Sequence, residues 1–83
     1  MNWDDLRIVS AVSRTHSYTK AARLLHIDET TVSRRLARLE STFGVTLFEA
    51  VNGQRLPTSA CSAILGYLDS VEHEIGDIER MLQ

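Results

Sequence analysis

Ser17-Tyr18-Thr19-Lys20-Ala21-Ala22-Arg23-Leu24-Leu25-His26-Ile27-Asp28-Glu29-Thr30-Thr31-Val32-Ser33-Arg34-Arg35-Leu36-Ala37-Arg38-Leu39-Glu40 decides how this chain folds. Ser17 reads as the N-cap of a short helix, Tyr18 to Leu25, whose Ala21, Ala22, Leu24 and Leu25 face inward. Its small alanines permit close helix approach. His26-Ile27 reads as a tight turn, because histidine is among the few non-glycine residues enriched at positive φ. Asp28 then caps a further helix in which Val32, Leu36, Leu39 and Phe43 recur at helical spacing as one apolar stripe, and Gly44 supplies its stop. Two helices joined by so short a turn make a helix-turn-helix. The second displays Thr30, Thr31, Ser33, Arg34, Arg35 and Arg38, a face suited to a DNA major groove.

Upstream, Asn2 caps a first helix through about Val12, with Asp5 in its first turn and Leu6, Ile8, Val9 and Val12 on one face. Trp3 reads as a packing residue, and Thr15-His16-Ser17 as the turn that follows. Downstream the period changes. Val45 to Glu49 is β-branched and aromatic, Asn52-Gly53 is a strong hairpin signal, and Arg55-Leu56-Pro57 forms the return strand. A two-stranded hairpin is not stable alone, so it lies against the helices as a wing. Thr58 caps a fourth helix in which Cys61, Ile64, Leu68, Val71, Ile75, Ile78 and Leu82 recur at alternating intervals of three and four. That heptad seam predicts a dimer through this helix rather than packing on its own domain. Gly66 and Gly76 fall off the seam, and Tyr67 reads as a packing residue. The expected fold is mainly α: a winged helix-turn-helix over residues 1–57, then a long linker and dimerisation helix over 58–83.

Eighty-three residues, 43% hydrophobic and 24% charged, suit one small folded domain rather than a disordered chain. No apolar run approaches the ~20 residues of a membrane span, and the N-terminus lacks the basic and apolar regions of a signal peptide. A lone Cys61 forms no internal disulfide, which points to a reducing cytoplasm. His16, His26 and His73 show no metal-ligand spacing, Cys61 and His73 are too far apart to act as nucleophile and base, and Glu72, Glu74, Asp77 and Glu79 read as solvated carboxylates. Neither an enzyme, a metal nor a cofactor is expected. The net charge of −2 conceals a segregation. Arg14, Lys20, Arg23, Arg34, Arg35 and Arg38 outnumber Asp28 and Glu29, whereas beyond Thr58 only Arg80 stands against Asp69, Glu72, Glu74, Asp77 and Glu79. One half suits phosphate and the other repels it.

Within the basic half, Arg34 sits where a guanidinium takes guanine O6 and N7 together, while Thr30, Thr31 and Ser33 fix the docking of the helix. Arg35 and Arg38 suit phosphates, although plain solvation accounts for Arg38 equally well. Ser17, Thr19 and Lys20, at the start of the preceding helix, complete the candidate contacts. Glu29 has two readings, a carboxylate favoured by the helix dipole or an acceptor for cytosine N4. Arg55, beside the hairpin tip, either reaches the DNA backbone or minor groove or is an ordinary surface arginine.

The stretch Ser17 to Ile27, followed by Thr31 to Glu40 and by Phe43-Gly44-Val45-Thr46-Leu47-Phe48-Glu49, resembles the N-terminal DNA-binding domain of the LysR-type transcriptional regulators. The resemblance spans nearly the whole chain. It implies recognition-helix contacts to interrupted palindromes in double-stranded DNA, a homodimer through antiparallel linker helices, and a cytoplasmic bacterial protein. Such regulators continue into a larger effector-binding domain, so the chain resembles an isolated N-terminal part. Where that family usually has Ser-Gln-Pro this chain has Asp28-Glu29-Thr30, Ala50 and Gly53 replace frequent basic residues, and Cys61 replaces a common glycine. These departures leave a rival expectation, a winged-helix protein-interaction module that has lost its affinity for DNA.

Overall fold

The computed structural model describes residues 1–83 and runs α1 (Trp3–Thr15), α2 (Tyr18–Leu25), α3 (Glu29–Phe43), β1 (Phe48–Val51), β2 (Gln54–Pro57) and α4 (Ser59–Met81). Side-chain caps set most of the helix starts. Asn2 Oδ1 accepts the Asp5 N–H at 3.0 Å, Ser17 Oγ that of Lys20 at 3.1 Å, and Thr58 Oγ1 that of Cys61 at 3.3 Å. Asp28 holds the N-cap position of α3 without a capping bond. The stops are equally local: His16, His26 and Gly44 all adopt the left-handed conformation, with φ of 57°, 57° and 65°. His16 ends α1 one turn beyond Val12, where the Thr15 hydroxyl donates back to the Ala11 carbonyl.

One core joins every helix to the hairpin. Ile8, Val9, Ala11 and Val12 of α1 meet Ala21 and Ala22 of α2, Val32, Leu36 and Leu39 of α3, Leu47, Phe48, and Cys61 and Leu68 of α4. Tyr18 and Leu25 pack against this cluster, half-buried. Leu24 is exposed, contrary to expectation, because the arc formed by Tyr18, Ala21, Ala22 and Leu25 turns it outward. Phe43, at the end of the α3 stripe, also lies exposed, one turn past the last buried residue, Leu39.

β1 and β2 pair antiparallel, Phe48 with Pro57, Glu49 with Leu56, Ala50 with Arg55 and Val51 with Gln54. Asn52 and Gly53 both have positive φ, 51° and 77°, which is the two-residue turn whose twist matches the strands. The strand begins at Phe48 rather than Val45. Ahead of it, the Leu47 N–H donates to the Glu40 carboxylate at 2.6 Å, and Thr58 fastens the far side by donating its hydroxyl to the Thr46 carbonyl and its N–H to the Leu47 carbonyl.

α4 departs most from expectation. Cys61 and Leu68 are 0% and 4% exposed within the chain's own core, so neither is open to a partner. Ile64 and Leu65 pack beside them, half-buried. The start of α4 therefore packs into the core of the domain. Val71, Ile78 and Leu82 are 39%, 56% and 82% exposed, and Ile75 is half-buried. Tyr67, expected to pack, is 75% exposed on the outer face. The seam spacing is that of any one-sided helix, and here its first half is covered by α1 and the hairpin.

Candidate nucleic-acid interface

Intervals of four place Thr30, Arg34 and Arg38 along one row of α3, on the face turned away from Val32, Leu36 and Leu39, and all three are exposed. Glu29 and Ser33 form one exposed flank of that row. Thr31 and Arg35 form the other, half-buried, with Arg35 turned into a recess it shares with Asp4, Arg7, Ile8, Leu25 and Ile27. Arg35 is thus less available than the row beside it. The Glu29 carboxylate accepts the Thr19 hydroxyl at 2.9 Å, which ties the start of α3 to the start of α2. Lys20 is exposed beside this junction, and Ser17 is half-buried with its hydroxyl oxygen occupied by the α2 cap.

The electrostatic pattern is selective. The ion pairs are Arg7 with Asp4 at 4.0 Å, Arg14 with Glu72, and Arg80 with Asp77. Lys20, Arg23, Arg34, Arg35 and Arg38 pair with no carboxylate, so the cations of α2 and α3 remain unneutralised by the protein itself. Glu29 likewise has no cationic partner. Unpaired like charges on one face repel one another and attract an anionic ligand.

Arg55 is half-buried and packed against α2. Its guanidinium lies over the Tyr18 ring, 4.3 Å from the centroid, and the Arg55 backbone N–H donates to the His16 carbonyl at 2.9 Å. The ring face attracts the cation, so Arg55 joins the wing to the start of α2 instead of standing free at the hairpin tip. Burial pushes the Tyr18 phenol above its usual range, with the Arg55 charge opposing and Glu40 reinforcing. The tip itself, Asn52-Gly53, carries no cation, and Ala50 beside it is exposed.

The sequence carried no signal for two of these arrangements: Arg55 on Tyr18, and Glu72 accepting from both Ser10 and Arg14. Both join residues far apart in the chain. No group of three or more His, Cys, Asp or Glu is placed to hold a metal ion, and no helix is long and apolar enough to cross a membrane.

Residues 3–62 match the sequence profile described as bacterial regulatory helix-turn-helix protein, lysR family. The chain belongs to the LysR family. This LysR-family chain is 49% identical over 83 residues to the mau operon transcriptional activator of Paracoccus denitrificans, an alignment that covers 100% of the chain and 29% of that relative. It therefore spans less than a third of the relative's length. Its fold superposes on the BenM DNA-binding domain solved with benA site 1 DNA at a TM-score of 0.88, with 27% identity, covering 99% of this chain and 92% of that one. The CbnR DNA-binding domain solved with DNA gives 0.81 at 26% identity, covering 99% and 98%. The architecture is thus the winged helix-turn-helix of LysR-family DNA-binding domains.

Proposed function

We propose that this chain is the sequence-specific, double-stranded-DNA-binding part of a bacterial transcription regulator, acting as a homodimer in the cytoplasm and without catalysis. The observation that carries the reading is the exposed row Thr30, Arg34, Arg38 on α3, its cations unpaired by any carboxylate. Two solved neighbours of the same fold are complexes with DNA.

In this reading α3 enters the major groove. Arg34, in the middle of the row, takes guanine O6 and N7 together, and Thr30, Thr31 and Ser33 set the docking distance. Lys20 and Arg38 hold phosphates to either side, Arg35 adds a phosphate contact from the flank, and the Ser17 and Thr19 region approaches the backbone. Arg55 keeps the wing in place against the start of α2, and from there reaches the DNA backbone or minor groove.

The homodimer forms through the outer face of α4, where Tyr67, Val71, Ile78, Met81 and Leu82 are exposed and Ile75 is half-covered. Cys61 and Leu68 take no part. Two-fold symmetry then places two copies of α3 on the halves of an interrupted palindrome. Response to a small effector requires a further domain outside these residues.

The deciding measurement is fluorescence anisotropy with a labelled duplex, selected from a random pool, across a salt series. Neutralising Z phosphates gives a log-log slope of about −0.9Z, so a steep linear loss of affinity with salt is expected. A selection that enriches no sequence, or a titration without a salt-sensitive complex, rejects the reading in favour of a protein-interaction module.

A further inference from the structure

Glu29 is exposed in the first turn of α3, next to the N-cap Asp28 and on the flank of an outward row of hydroxyl and guanidinium side chains. It is exposed, unpaired by any cation, and held by the Thr19 hydroxyl through one carboxylate oxygen at 2.9 Å. The bond is between side chains on two different helices, so it fixes the direction of the carboxylate relative to both. Its second oxygen makes no hydrogen bond within the chain.

A carboxylate accepts and never donates. In the major groove the base donors are the exocyclic amines, cytosine N4 and adenine N6. Adenine sets its N7 lone pair beside N6, which repels a second acceptor, whereas cytosine has a C–H beside N4. Guanine and thymine present acceptors at the corresponding edge, and phosphates repel the charge everywhere. An acid at this place therefore discriminates twice: it rewards one base and penalises contact with DNA that lacks it.

We propose that Glu29 selects cytosine at one position of each half-site, with Thr19 as the residue that orients it. The inference rests on the DNA-binding reading above. Holding the side chain in place before binding reduces the rotamer freedom lost when the contact forms, which is what Thr19 supplies. Thr19 is thus a positioning residue, and it acts through Glu29 rather than on the base itself.

The test uses the 83-residue chain and a panel of duplexes carrying each of the four bases in turn at every half-site position, at one fixed ionic strength. The parent chain is expected to favour a C·G pair on the order of tenfold at a position other than the one where Arg34→Ala flattens the preference. Glu29→Gln shifts that preference to adenine, whose N6 and N7 an amide can engage together, and strengthens binding to random DNA. Thr19→Val, which keeps the shape and removes the hydroxyl, weakens the cytosine preference severalfold with the thermal midpoint unchanged, while Thr19→Ser retains it. A parent that binds specifically but whose every C·G preference is lost in Arg34→Ala overturns the role of Glu29, as does an unchanged base profile in Glu29→Gln. An unchanged profile in Thr19→Val overturns the role of Thr19. A parent that binds none of the duplexes overturns the DNA-binding reading itself, a result distinct from the others.

Discussion

Glu72 on α4 pairs with Arg14 on α1, bridging the two helices through their side chains. Its other carboxylate oxygen accepts the hydroxyl of Ser10, a buried residue of α1. Beyond this bridge the residues of α4 are exposed or only half-covered.

Removing the bridge should loosen α4. Glu72→Ala is expected to lower stability by about 1–3 kcal/mol, chiefly because Ser10 loses its acceptor in a buried place. The ion pair itself adds little, since Arg14 is more than half exposed. Glu72→Gln, which retains an acceptor for Ser10, should lose less. Urea midpoints give the totals, and amide exchange should accelerate over residues 73–81 while α2 and α3 stay protected.

The two sides of α4 should respond oppositely to charge. Leu68→Asp puts a carboxylate into the core and is expected to unfold the chain, seen as loss of helical circular dichroism. The double variant Val71→Asp, Ile78→Asp alters the outer face only, so it should stay folded and sediment as a monomer. A folded double variant that sediments like the parent would move the dimer interface elsewhere.

Cys61 makes a prediction about alkaline pH. Burial, reinforced by Glu40, pushes its thiol up to about 11. An unfolded cysteine loses its proton at about 8.5, so above that value the unfolded chain binds fewer protons than the native one and stability falls with rising pH. The loss should level off above about 11, once the native thiol also ionises. Urea midpoints measured from neutral to alkaline pH should fall less steeply in Cys61→Ala than in the parent. Parallel slopes would mean that the thiol is as accessible to water folded as unfolded.

Arg34 and Arg38 share a row but should differ in kind. Arg34→Ala is expected to cost ~1–3 kcal/mol on the preferred site and to flatten preference at one base pair. Arg38→Ala should weaken all sequences alike and make the salt slope shallower by about 0.9. Competition between specific and scrambled duplexes separates the two, and equal loss on both for Arg34→Ala would make it a phosphate contact.

The parts of the fold legible in the sequence were those written locally. Caps at Asn2, Ser17 and Thr58, left-handed stops at His26 and Gly44, and the Asn52-Gly53 turn each involve residues a few positions apart. The α4 seam was legible as a stripe but not in its partner, because a spacing of three and four states which residues share a face and nothing about what covers it. Thus Cys61 and Leu68 read like Val71 and Ile78, although only the first pair meets the core. The exposed row of α3 followed from period alone, whereas the Arg55 stack and the Glu72 bridge depend on how distant elements dock, which no local pattern encodes.

The backbone bond from Arg55 to the His16 carbonyl bears on how the isolated chain behaves at high concentration. A two-stranded sheet has two outer edges, each a template on which another molecule can add a strand. This bond engages an N–H on the outer edge of β2, and β1 is only Phe48–Val51 long, ending at a turn that twists the hairpin. Neither edge offers a long flat row of unpaired amides. Self-association by strand addition is thereby disfavoured.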